Sequence, residues 1–175
     1  MLPGIYLHYV HAMREFPFSC VSRAACQESN MFKHILFPTD GAATSKHIVK
    51  QCITFAKDIG AQVTALHVMP KYSPYAYQAA MLVETLDDFN SECIAAANEF
   101  LDEVRKEAAA AGVKYEGIHV TSDFPYDAII RTAEEKNCDV IVMASHGRKG
   151  VKGMILGSET QKVLTHSKLP VLVFR

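Results

Sequence analysis

The 175-residue chain predicts a single-domain α/β fold, an αβα sandwich built on a five-stranded parallel sheet. Two observations predict it. From Met31 onward, short apolar runs alternate with stretches of helical period, and those runs carry apolar residues on both faces, as strands covered by helices on each side must. Right-handed crossovers then wind such a chain into three layers.

Each element has its own signal. Residues 32–37 of "MFKHILFPTDG" read as the first buried strand, closed by Pro38. A helix follows over 44–59, with Ile48, Cys52, Phe55, Ala56 and Ile59 on one face and Gly60 at its end. "QVTALHV" (62–68) is the second strand, and a loop carrying Tyr72, Tyr75 and Tyr77 leads to a long helix over 82–111. That helix has the stripe Leu82, Leu86, Phe89, Cys93, Ala97, Phe100, Val104, Ala108, and Gly112 stops it. Strands at 114–120, 139–144 and 170–174 and helices at 126–136 and 158–166 complete the alternation. Residues 1–30 show neither period nor the grammar of a signal peptide, and read as an extension outside a domain of residues 31–175, either disordered or a mis-assigned start upstream of Met31.

Composition narrows the function. A hydrophobic share of 49% and a charged share of 21% are ordinary for a soluble domain. A net charge of −1 argues against a general nucleic-acid binder, and no apolar run approaches bilayer length. Five scattered cysteines without a CxxC pair speak against a zinc or dithiol site and fit small core residues in a reducing cytoplasm.

In doubly wound sheets ligands bind beyond the carboxyl ends of the strands. Those ends carry Pro38, Thr39 and Asp40, then Val68, and then "ASHG", residues 144–147. After them comes a glycine-rich loop with His146, Arg148, Lys149 and Lys152, and a helix restarting at Gly157-Ser158. Free N–H groups at a helix start, glycines that let the backbone approach closely and local positive charge together suit a phosphate. Asp40 suits ribose hydroxyls or a water-held divalent cation. The same glycines also serve tight turns alone, Ser158 also fits an N-cap, and His146 also fits a solvated loop position. No GxGxxG follows the first strand and no GxxxxGK[ST] is present, so the dinucleotide and P-loop grammars are absent; so is G-x-S-x-G.

Four blocks in fixed order, "ILFPTDG", "ALHVMP", "DVIVMASHG" and "LGSETQKVLTHSKLPVLV", closely resemble the universal stress protein family over residues 31–175. The resemblance implies an adenine nucleotide alpha hydrolase-like fold with strand order 3-2-1-4-5, a homodimer and, in one branch, bound ATP, with Mg as its possible companion. That branch carries G-x-x-G, nine residues, then G-[ST]. Here Gly147, nine residues and Gly157-Ser158 match, while Ala144 replaces the first glycine. The site so implied comprises Pro38, Thr39, Asp40, Val68, Ala144, His146, Gly147, Arg148, Gly157, Ser158 and Glu159. Within it Asp40 meets ribose or phosphate, the Val68 backbone meets adenine, and Gly147, Gly157 and Ser158 hold phosphates.

If position 144 needs a positive φ, its Cβ costs roughly 1 kcal/mol; if it is a strand end with negative φ, the methyl costs nothing. No positioned base is visible, so the resemblance points to an ATP-binding regulatory module with an unidentified protein partner. The rivals are a nucleotide-free protein acting through protein contacts and a slow ATPase. The last strand, "PVLVF", reads as an apolar edge that pairing with a second copy would cover, placing Val171, Leu172 and Val173 at a dimer interface.

Overall fold

Alternating side chains on the central strands feed two separate cores, and that division sets the architecture. A computed structural model describes residues 31–41, 45–71, 86–145 and 156–174. Its elements are β1 (His34–Pro38), α1 (Ser45–Asp58), β2 (Gln62–Met69), α2 (Leu86–Ala111), β3 (Tyr115–Thr121), α3 (Pro125–Glu135), β4 (Val140–Ala144), α4 (Ser158–His166) and β5 (Val171–Phe174). The five strands form one parallel sheet in the order β3-β2-β1-β4-β5.

On one face Ile35 and Phe37 of β1, Val63 and Ala65 of β2, and Val140 and Val142 of β4 pack against α1 (Ile48, Cys52, Ala56) and α2 (Leu101, Val104, Ala108). On the other, Leu36, Leu66, Ile141 and Met143 meet Ile129 and Ala133 of α3 and Val163 of α4. A strand's period of two is what sends neighbours to opposite faces. α1 and α2 end where Gly60 and Gly112 take φ of 66° and 72°, a left-handed backbone that a Cβ disfavours.

β3 departs from the expectation of strands covered on both faces. It is an edge strand, none of its residues is buried, and Glu116, Gly117 and His119 are exposed. Polar and glycine positions make it a poor template for pairing with another chain. The two parts of the fold reading that fall on residues 1–30 and on the tyrosine loop at 72–77 lie outside the described residues, as does the expected helix start at 82–85.

Among the described residues no helix is long and apolar enough to cross a membrane. Burial holds the thiol of Cys52 far above its usual range and raises that of Cys138 to about 12, so both behave as core residues.

Candidate functional site

The strand order reverses between β1 and β4, so the crevice beyond their carboxyl ends is where a doubly wound fold binds its ligands. The β1 side is a braced turn. Thr39 N–H donates to Leu66 O at 2.8 Å, the last bond of the β1–β2 ladder, and Gly41 N–H donates to Thr39 Oγ1 at 3.3 Å. His67 Nδ1 lies 2.8 Å from the Thr39 carbonyl oxygen; that oxygen only accepts, so Nδ1 carries the proton. The His67 ring also lies 5.2 Å from the Phe100 ring of α2. Phe100 in turn covers Gly41: a Cβ on this residue, whose φ is 71°, would lie 2.5 Å from the ring. Asp40 is half-buried between these braces, displayed at the strand end by a turn that α2 holds from behind.

Val68 is oriented by the ladder itself. Peptide groups of successive strand residues point to opposite neighbours. Gln62 and Leu66 bond toward β1, through Lys33 O and Thr39 N, while Val63 and Met69 bond toward β3, through Lys114 O and Ser122 N. Val68 shares the parity of Leu66, so its N–H and C=O point toward β1's side, beyond Pro38, where β1 pairing has ended.

The β4 side is a helix start tied to a strand end. Ser145 N–H donates to Phe174 O at 2.7 Å and Gly157 N–H to Ser145 O at 2.7 Å, so the chain leaves β4 and returns to it across one hydrogen bond. The Thr160 hydroxyl donates to Ala144 O at 3.0 Å. Gly157 is the N-cap of α4, in extended backbone (φ −68°, ψ 153°), with no side-chain capping bond. The N–H groups of Ser158, Glu159 and Thr160 therefore have no intrahelical acceptor and no capping side chain, at the positive end of the helix dipole.

Glu159 belongs to this turn, but its carboxylate is already engaged, accepting from Tyr126 N–H at 3.0 Å and from Lys162 Nζ at 2.6 Å. It joins α3 to α4, and Lys162 offsets its charge beside the helix start.

Ala144 lies in β4 opposite Phe174, and Asn137 is the only non-glycine residue with positive φ among the described residues. The backbone at 144 therefore does not call for glycine. Pro38, Thr39, Asp40, Val68, Ala144, Gly157, Ser158 and Glu159 all lie at the carboxyl end of the sheet or at the helix start beside it. His146, Gly147 and Arg148 fall outside the described residues. Among the described residues no group of three or more His, Cys, Asp or Glu side chains gathers to hold a metal.

At the sheet's far edge, Val171 and Leu172 are buried within the single chain and Val173 is half-buried. Three residues escaped the sequence reading: His67, Phe100 as a brace, and Thr160. Two left a faint trace, since His67 and Thr160 are polar residues at positions where the apolar period asks for a core side chain.

The fold and this crevice define a doubly wound α/β domain whose candidate site is a braced turn facing an uncapped helix start. Residues 31–175 match the model of the universal stress protein family, and the chain belongs to that family. It is 33% identical over 148 residues to the universal stress protein MJ0531 of Methanocaldococcus jannaschii, covering 83% of this chain and 84% of that one. It is 30% identical over 158 residues to MJ0577 of the same organism, covering 84% and 97%. The solved structure of MJ0577 has a TM-score of 0.66 at 28% identity over 82% of this chain and 95% of that one. A universal stress protein from Archaeoglobus fulgidus, solved in complex with dAMP, shares the fold at 18% identity and a TM-score of 0.57, over 83% and 99%.

Proposed function

We propose that the chain is an ATP-binding regulatory module that works as a homodimer, with residues 31–175 as its functional unit. The observation that carries this reading is the uncapped start of α4, tied to the end of β4 by the Gly157–Ser145 and Thr160–Ala144 bonds, in the same crevice as the Asp40 turn. Unsatisfied N–H groups and a positive dipole end suit a polyphosphate. The Val68 peptide offers one donor and one acceptor, the complement of an adenine edge. Asp40 suits the ribose hydroxyls, and Mg would accompany the phosphates. By the family resemblance, His146, Gly147 and Arg148 add to the phosphate contacts. The extended backbone at Ala144 supports retention of binding despite the missing glycine, and the dAMP complex of the Archaeoglobus protein shows that a protein of this fold takes an adenine nucleotide.

The edge position of β5, with Val171, Leu172 and Val173, supports a two-fold pairing of protomers. Calorimetric titration with Mg-ATP tests the reading: the expected Kd is micromolar, about −8 kcal/mol, and Gly157→Val, which blocks close approach to the backbone, weakens it at least tenfold. No response at millimolar Mg-ATP would favour a nucleotide-free protein acting through protein contacts.

A further inference from the structure

We infer that His67 is a positioning residue of this crevice: by holding the Thr39 carbonyl, it ends the β1–β2 ladder and leaves the Val68 peptide open to a ligand. The inference rests on the nucleotide reading for its functional meaning, and on ladder geometry for its physical basis.

With Leu66 opposite Pro38, a continued parallel ladder would next set Val68 opposite Asp40. Val68 N–H would then donate to the Thr39 carbonyl, two residues on from the acceptor that the register gives Leu66 N–H. That bond is absent. The Thr39 carbonyl instead accepts from His67 Nδ1 at 2.8 Å, and β1 pairing stops at Pro38. The donor that meets this carbonyl is therefore the side chain of the residue just before Val68, in place of the Val68 peptide.

Two packing contacts keep it there. The His67 ring is buried, 8% exposed, against Phe100 at 5.2 Å, and Phe100 also lies over Gly41, so one ring backs both the histidine and the turn. Thr39 is half-buried, and a carbonyl directed into the packed end of a sheet is rarely left without a donor. If the imidazole is removed, the nearest ladder donor is Val68 N–H, and the strand pair zips one step further into the crevice. The cost falls on recognition: a peptide that donates and accepts along one edge separates adenine from guanine, whose corresponding donor and acceptor are exchanged.

Amide hydrogen exchange on the ligand-free protein tests this directly, followed by ATP and GTP titrations. In the wild type, Val68 should exchange at least tenfold faster than Leu66. In His67→Leu, Val68 should gain at least tenfold protection, ATP affinity should fall at least tenfold, and the preference for ATP over GTP should shrink. His67→Gln keeps a polar side chain but carries its amide past the Thr39 carbonyl, and should repeat the loss. His67→Asn places an amide nitrogen near the position of Nδ1, and should restore exchange and selectivity together. Equal Val68 exchange in the wild type, His67→Leu and His67→Gln would overturn the inference. Because exchange is read without ligand, a wild type that binds no ATP would overturn the proposed function while the exchange contrast still decides the role of His67.

Discussion

Thr160 donates its hydroxyl proton to the carbonyl oxygen of Ala144 at 3.0 Å, across the gap between the end of β4 and the first turn of α4. Thr160 is 4% exposed and Ala144 half-buried, and the bond between them sets where the helix's free N–H groups open relative to the sheet.

Replacing Thr160 by Val keeps the shape and removes the donor. The half-buried Ala144 carbonyl then loses this donor, which should cost about 1 kcal/mol in urea unfolding. ATP affinity should fall several-fold as the helix start loosens. Thr160→Ser should recover most of both.

Gly41→Ala tests the brace behind Asp40. The residue has φ 71° and no room for a Cβ, which would meet the Phe100 ring at 2.5 Å. Backbone strain and displacement of Phe100 should together cost about 2 kcal/mol, read as a lower Tm.

His34 should give the stability a pH dependence. Its Nε2 lies 2.8 Å from Thr64 Oγ1, at the end of the sheet away from the crevice. Burial is the main influence and lowers its pKa below the ordinary 6.5; the charges of Asp139 and Glu116 raise it, and those of Lys136 and Lys114 lower it further. The unfolded chain thus takes up the proton first as pH falls. The contribution of His34 to stability is full above 6.5 and is lost as pH drops through the lower folded-state value. Unfolding free energies measured from about pH 7 to about pH 5 should fall less steeply in His34→Gln.

The proposed dimer can be separated from the fold by the parity of β5. Ile141 N–H donates to Pro170 O and Ser145 N–H to Phe174 O, so residues of even number face β4 and Val171 and Val173 direct their N–H groups to the open edge. Light scattering should give a dimer for the unmodified protein. Val173→Pro should give a folded monomer, since it removes only an outward donor, whereas Leu172→Pro should disrupt the sheet itself. A monomeric unmodified protein at micromolar concentration would rule out this interface.

Much of the fold was legible because burial on both faces leaves unbroken apolar runs. "HILF", "VTAL" and "VIVM" read as central strands, and Gly60, Gly112 and Ser158 marked helix ends within a residue or two of where they fall. The order of strands came from family resemblance, since period alone does not say which runs are neighbours. The exposure of β3 was hidden: "YEGIHV" carries enough apolar residues to look central, and only the edge position explains Glu116 and His119.

The crevice was legible as a set of strand ends, but its bracing was not. The His67–Thr39 bond joins residues 28 apart and exists only in one register of β1 on β2. The engagement of Glu159 depends on where α3 begins beside α4, which no local pattern encodes.

The central claim is that an adenine nucleotide occupies the crevice between the Asp40 turn and the start of α4. Backbone amide shifts recorded while Mg-ATP is titrated into the isotope-labelled protein test it most directly. The account predicts saturable shifts at Val68, Asp40, Ser158 and Glu159, with β3 and the amino ends of the strands unmoved. Shifts confined to other regions, or none at millimolar Mg-ATP, would contradict it.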